Sequence, residues 1–421
     1  MKPIKYLVLF LISSFLFPTI YACKKEYEPS KDDFKPPVIQ DTIAKYNPVE
    51  TNLPHTNYPS AFEGQTRIFG IKTYTPLKVE VINSSLEQPW GIAALPNGKF
   101  LITQKGGSIV VVNSMGAVEQ TITNLPAVAD EGQGGLLGIC VDNNFSSNNK
   151  VYWTYSKPIG DSALTALAKG KLSGDESKIE DIEVLYKAQP AYDGTAHFGS
   201  RIIMDNQGNL LMSTGERYHI SMRPYAQKTD NGLGKIIRIK TDGSPAEGNP
   251  FTHSSGADAA VYSYGHRNVQ GLAYDEKNNI IYQSEMGPMG GDEINIIEAG
   301  KNYGWPTISY GLEYDGTKVG AGISQQLGMT QPIYYWDPSV SPSGIAFYNS
   351  KGIPEWEGNL LIACLSGQHL IRLRIKDGKI AGEERLLESE NQRFRDVEVD
   401  ENGVVYAITD SGRLYKIQKE E

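Results

Sequence analysis

Between Ser263 and Pro306 the chain reads SYGHRNVQGLAYDEKNNIIYQSEMGPMGGDEINIIEAGKNYGWP, a stretch that crowds a cation, amides, carboxylates and tight turns into loop-rich sequence. Arg267 offers a fork of donors for a carboxylate, and Asn268 beside it both donates and accepts. Asp292 and Glu293 follow Gly287-Pro288-Met289-Gly290-Gly291. Glycine-rich backbone can turn its carbonyls toward a hard cation, and a glutamate with carbonyl oxygens is a donor set that Ca²⁺ prefers. The same residues could cap a turn and stay solvated, but their density in a loop argues for a site.

Three further groups could join it. His197 lies in GTAHFGSRI, just before the strand-like RIIMD. An imidazole titrates near neutrality, about pH 6.5, and so suits a general base, although a lone loop histidine is as readily a structural residue. Asp193 is a nearby carboxylate that could orient it, while His266 reads as a packing and hydrogen-bonding residue. Arg393 and Arg395 alternate around Phe394. In a strand they would share a face and in a loop they would form a clamp, and Asp396 could equally make them a solvated edge pair. Gln133, in GQGGLLG, can donate or accept from a turn.

The elements that must position these residues repeat along the chain. A turn such as Pro96-Asn97-Gly98, Asp205 to Gly208, Asp275 to Asn279 or Asp400 to Gly403 precedes a β-prone run: KFLITQ, NLLMSTG, IIYQSE or VVYAITD. Asp142 to Asn144 before KVYWTYS and Glu357 to Asn359 before LLIACLS complete six units. Several continue into a second strand, as in SIVVVN, KIIRIK, EINIIE, LIRLRI and RLYKI. Six meanders in series predict an all-β fold, a six-bladed β-propeller of four-stranded antiparallel blades, with inserted loops building a site on one face. The early strand LKVEVI is expected to complete the last blade and remove an open edge.

Outside that domain the sequence changes character. Lys2 and Lys5 precede an apolar run from Tyr6 to Phe17, too short to span a bilayer, followed by Ile20-Tyr21-Ala22-Cys23. Residues 1–22 therefore resemble a bacterial lipoprotein signal, with Cys23 as the lipidated residue and Tyr21 bulkier than usual for that position. Residues 23–75, rich in Pro, Lys, Asp, Asn and Thr, read as a lipid-anchored flexible tether, and 76–421 as the propeller. The protein would then sit on the cell envelope, facing the periplasm or the exterior, touching the membrane through its anchor only. Cys140 and Cys364 lie in apolar runs and read as buried small hydrophobes, with a disulfide between them left open. A net charge of −9 argues against nucleic acid as a partner.

Several of these segments, taken in order, resemble the glucose/sorbosone dehydrogenase family, the soluble quinoproteins that use pyrroloquinoline quinone, and within it the aldose sugar dehydrogenase branch. The resemblance runs through QPWGIAALPNGKFLITQ at Gln88, GQGGLLG at Gly132, HFGSR at His197, LGKIIRIKTDG at Leu233, the Arg267 segment and NQRFRDV at Asn391. It implies oxidation of an aldose at C1 to a lactone, with His197 taking the hydroxyl proton. The quinone would be held by Gln133, Arg267, Asn268, Tyr314, Ser366, Arg393, Phe394 and Arg395. Calcium ions are implied at the Gly287–Pro288 carbonyls and near Glu293 and Tyr303. Two departures stand out: Ala196 replaces an aspartate that orients the histidine in some members, and Ser366 replaces a cofactor-contacting lysine. They keep alive a second class, a non-enzymatic sugar- or protein-binding propeller with a degenerated pocket. A calcium-dependent lactonase is a third reading that leaves the quinone cradle unexplained. The electron acceptor is not legible, and a homodimer is compatible with the chain.

Overall fold

The computed structural model describes residues 46–420. Six four-stranded antiparallel sheets follow one another around a ring, so the expected propeller is the observed fold. Blade 1 opens with Pro89–Ala94, blade 2 with Leu136–Val141, blade 3 with Ile202–Met204, blade 4 with Val269–Asp275, blade 5 with Pro342–Tyr348 and blade 6 with Phe394–Val399. These first strands are innermost. The six sequence units are the second strands, Phe100–Gln104, Lys150–Ile159, Leu210–Ser213, Ile280–Glu285, Asn359–Cys364 and Val405–Thr409. Their turns form as the residue types dictate. Asp205 Oδ1 accepts the N–H groups of Gln207 and Asn209, Asp400 Oδ1 those of Asn402 and Val404, and Gly208 and Gly403 take φ of 75° and 78°.

Leu77–Asn83 is the outermost strand of blade 6, running antiparallel to Leu414–Lys419 with Leu77 opposite Lys419. This closes the ring. Between blades, inward residues such as Ile102, Trp153, Ile237, Trp336, Ile362 and Ile408 are fully or almost fully buried. Each such aliphatic side chain contributes about 1.5 to 3 kcal/mol of transfer free energy. Cys364 is in this core and Cys140 is part-buried, both as free thiols.

The tether expectation needs correcting for residues 46–75, which dock on the outer edge of blades 4 and 5. Glu50 pairs with Arg385 at 2.7 Å, Gln65 is fully buried and donates to the Pro332 carbonyl, and the Trp356 indole donates to Thr73. Polar composition was read as solvation, but here those polar groups satisfy one another across the interface. The signal segment, Cys23 and the rest of the tether lie outside the described residues.

Candidate active site

In an antiparallel meander the residues just before the first strand and just after the second emerge on the same face. A cleft of about 540 Å³ opens there, within the range of about 300 to 1,000 Å³ usual for ligand pockets. Gln88 to Trp90, Gln133, Phe198, Asn268 and Arg393 reach it from the first-strand side, and Lys105, Met286, Leu365 and Asp410 from the second-strand side. Tyr314 arrives on the insert that precedes Tyr334–Trp336, pinned where Met289 and Leu312 exchange backbone hydrogen bonds.

His197 is buried beside this cleft, next in the chain to Phe198 of its lining and in the left-handed region at φ 50°. Its backbone N–H donates to Gln133 Oε1 at 2.9 Å, which fixes the amide oxygen inward and leaves the NH₂ as a donor at the cleft. The ring Nδ1 lies 2.9 Å from Glu216 Oε2, a fully buried carboxylate that also accepts the Tyr218 N–H. Asp193 is not the orienting partner. Glu216 is, and it was missed because the approach of Gly199 to Thr214 that brings the two loops together is a tertiary contact. The STGER sequence at a second-strand end was the available signal.

Burial pushes the His197 imidazole below its ordinary pKa; Glu216 opposes this, and the cations Arg267 and Arg223 add to it. Burial raises Glu216, but the His197 ring, Arg267 and the Tyr218 amide outweigh it, so the carboxyl sits below its usual range. The pair is thus a neutral imidazole oriented by a carboxylate through Nδ1, with no hydrogen bond to Nε2 among the described residues. A base of this kind works when unprotonated. The acidic limb of a pH–rate profile is therefore expected below about pH 6.5, and a limb above that value would mean another group is titrating.

Backbone strain gathers at the same place: Ser200, Arg217 and Tyr218 also have positive φ, at 86°, 71° and 69°. Arg217 holds the turn by donating to the carbonyls of Ala163, Gly194 and Ala196, and the Tyr218 ring meets His197 edge-on at 5.0 Å.

The cations expected from the sequence take different places. Arg393 and Arg395 line the cleft, and both grip Asp410, at 3.0 Å and 2.8 Å. They form a clamp. Phe394 between them is fully buried against Tyr415 in the blade core and has no access to the cleft, which corrects its assignment as a cofactor contact. Strand alternation sends it inward. Lys105, missed in the sequence, joins the arginines, with its Nζ 2.7 Å from the Gly132 carbonyl; burial, and then Arg395, lower its pKa. Three cations against the one carboxylate of Asp410 leave this wall positive.

Arg267 is buried on the blade 4 side, donating to the Met286 and Gly287 carbonyls at 2.8 Å each and reaching the Tyr314 hydroxyl at 3.5 Å. Its Nε is buried without a partner. Asn268 lines the cleft with its amide oxygen tied to the Gly199 N–H, so its NH₂ is available. Glu285 sets both residues by accepting their backbone N–H groups and also meets the His266 ring, which stacks on Tyr303. His266 is thus the structural residue expected. Ser366 is exposed, bonded at 2.7 Å to the Ser341 hydroxyl at the cleft edge, and is not itself in the lining.

The proposed calcium donors differ in fit. The Gly287 carbonyl accepts from Arg267 and that of Pro288 from Ser339, so a positive guanidinium already faces the Gly287 oxygen. The Tyr303 hydroxyl is used on the Ile296 carbonyl and the Glu298 N–H, leaving only its backbone carbonyl for a metal. Glu293 stands opposite Glu285 on the adjacent strand, pushed up to about 8 by burial and by that second carboxylate. Asn295, which donates to Glu293, keeps a buried Oδ1 with no partner. A hard cation would relieve both.

Residues 86–416 match the family model for glucose/sorbosone dehydrogenase. The chain is 37% identical over 347 residues to aldose sugar dehydrogenase YliI of Escherichia coli, covering 81% of this chain and 92% of that protein. The crystal structure of the soluble aldose sugar dehydrogenase from Escherichia coli in the apo-form superposes with a TM-score of 0.78 at 36% identity, over 82% of this chain and all of that one. The PQQ-bound form of aldose sugar dehydrogenase from Streptomyces coelicolor superposes at 0.68 and 28%, over 82% and 99%. A match over most of the chain, on a six-bladed ring with a paired histidine beside a cationic cleft, makes this protein a member of the glucose/sorbosone dehydrogenase family.

Proposed function

We propose that this protein oxidises aldose sugars at C1 to lactones, dependent on pyrroloquinoline quinone and calcium. The observation that carries the reading is the buried His197–Glu216 pair beside a cleft walled by Lys105, Arg393 and Arg395. His197 Nε2 would accept the proton of the C1 hydroxyl as the C1 hydrogen departs with its bonding electron pair, leaving the C1–O bond as the lactone carbonyl. When bound, the quinone supplies the two-electron acceptor for that hydride. Glu216 keeps Nε2 facing the cleft and stabilises the imidazolium as it forms. Tyr218 packs against the ring and limits water on that side.

The cation wall suits a cofactor bearing carboxylates, and the Gln133 and Asn268 amides suit its ring oxygens. Lys105 supplies positive charge that Ser366 does not. Glu293, with Asn295, is the better calcium position, where the ion would hold blade 4 under the site. Lipid anchoring through Cys23 and display on the cell envelope complete the proposal, with an electron acceptor still to be found and a homodimer compatible with it. Reconstituting purified apo-protein with Ca²⁺ and the quinone tests it: a shifted quinone spectrum should form and bleach when aldose is added.

A non-enzymatic binding propeller is the second reading, and the observation it rests on is the neutral Ser366–Ser341 pair at the cleft edge. Ser366→Lys separates the readings. In a quinone site the new ammonium should tighten reconstitution about 10- to 150-fold, the equivalent of a charged hydrogen bond of about 1.5 to 3 kcal/mol. In a pocket adapted to another ligand it would be neutral or harmful. Quinone titrations of both forms at matched calcium give the answer.

A further inference from the structure

The docked segment 46–75 precedes the part of the chain that matches the family, yet it bonds Asp337 and Tyr310, from which contacts lead on to the active-site cleft. Its hold is concentrated on one buried side chain. Asp337 Oδ1 accepts the His55 N–H at 3.0 Å and lies 2.7 Å from the His55 ring, while Oδ2 accepts the Thr56 N–H at 2.9 Å and lies 3.1 Å from the Thr56 hydroxyl. Arg67 donates to the Asp337 carbonyl at 2.7 Å. Asp337 in turn packs on Gly290, where an added Cβ would come within 2.6 Å of Oδ1.

From Asp337 the chain runs straight into the residues that shape the cleft turn. Ser339 Oγ accepts the Gly290 N–H at 2.9 Å and meets the Pro288 carbonyl at 3.2 Å. The Val340 and Ser341 N–H groups both reach Asp292 Oδ2 at 2.7 Å, and Asp292 Oδ1 accepts the Gly287 N–H at 2.8 Å. Thr56 and Gln65 also bond Tyr310, on the insert that carries Tyr314. Together with the chain from Asp337 to Ser341, these bonds connect the segment to the Met286–Asp292 loop and to Tyr310 on the insert.

We propose that residues 55–67 act as a positioning brace for the Met286–Asp292 loop, so that cofactor binding depends on a segment outside the family domain. The part concerning the cofactor rests on the quinone reading above; the bracing does not. Removing the brace's side-chain contacts should loosen the loop while the far blades stay as they are.

The test is the full chain carrying His55→Ala with Thr56→Val, followed by hydrogen exchange and by quinone titration at fixed calcium. Exchange at Gly287, Gly290, Val340 and Ser341 should rise about tenfold or more, with Phe100–Gln104 in blade 1 unchanged, and quinone affinity should fall about 3- to 30-fold. Thr56→Ser, which keeps the hydroxyl, should behave as wild type. A lower melting temperature with unchanged loop exchange would overturn the proposal, making the segment a staple only. If wild type binds no quinone, the function reading fails and the exchange result alone decides the brace. Should the double variant not fold, Thr56→Val alone is read the same way.

Discussion

His197→Gln is expected to lower turnover by about 10² to 10⁴, the usual contribution of a positioned general base, while quinone affinity stays within a few-fold of wild type. Glutamine keeps the polarity and much of the volume but cannot take a proton. A companion variant, Glu216→Gln, should separate orientation from basicity. It removes the main influence raising the His197 pKa, so any residual acidic limb should move to lower pH, and the plateau should fall because the tautomer is no longer enforced. Wild-type turnover in His197→Gln would remove the base from the mechanism.

Arg395→Ala is expected to weaken quinone affinity by about 2 to 5 kcal/mol, as when one member of a desolvated charge pair is lost. Arg393→Ala should cost less, because its side chain is 48% exposed against 15% for Arg395 and water already screens it. Asp410 sharpens the contrast. Burial opposes its ionisation and the arginines, Arg395 first, hold its pKa below the usual range, so removing Arg395 leaves a carboxylate poorly paired on the wall that must receive an anion. Titrations at matched calcium measure both variants. Equal and unchanged affinities would reduce the clamp to a surface ion-pair cluster.

The blades were legible because their signal is local. A turn residue with its Asx hydrogen bonds, followed by a run of β-branched residues, marks each second strand whatever the rest of the chain does. Leu77–Asn83 was legible as the closing strand only once the number of units implied a ring. His197, Gln133, Asn268 and the two arginines stood out through the family pattern, and the structure gathers them at or beside one cleft. Glu216, Lys105 and Asp410 did not stand out. Each follows a second strand, where a charged residue reads as ordinary turn solvation until neighbouring blades bring its partner within reach. Phe394 was misread for the converse reason: it shares a motif with two site residues, but the pleat turns it the other way. The segment 46–75 escaped because polar composition records what residues can bond, and not to what.

The pairing of Leu77 with Lys419 also imposes an order on biosynthesis. Within the ring the sealing strand Leu77–Asn83 is made first and its partner Leu414–Lys419 last, separated at the ribosome by roughly 20 to 70 seconds at about 5 to 20 residues per second. Until Leu414–Lys419 is made, the edges of Leu77–Asn83 and Val405–Thr409 that it will join stand unsatisfied, and either could recruit the wrong neighbour. The two ends are therefore energetically one element. Trimming either Leu77–Asn83 or Leu414–Lys419 removes the ladder they share, and loss of Leu414–Lys419 also strips the outer edge of Val405–Thr409.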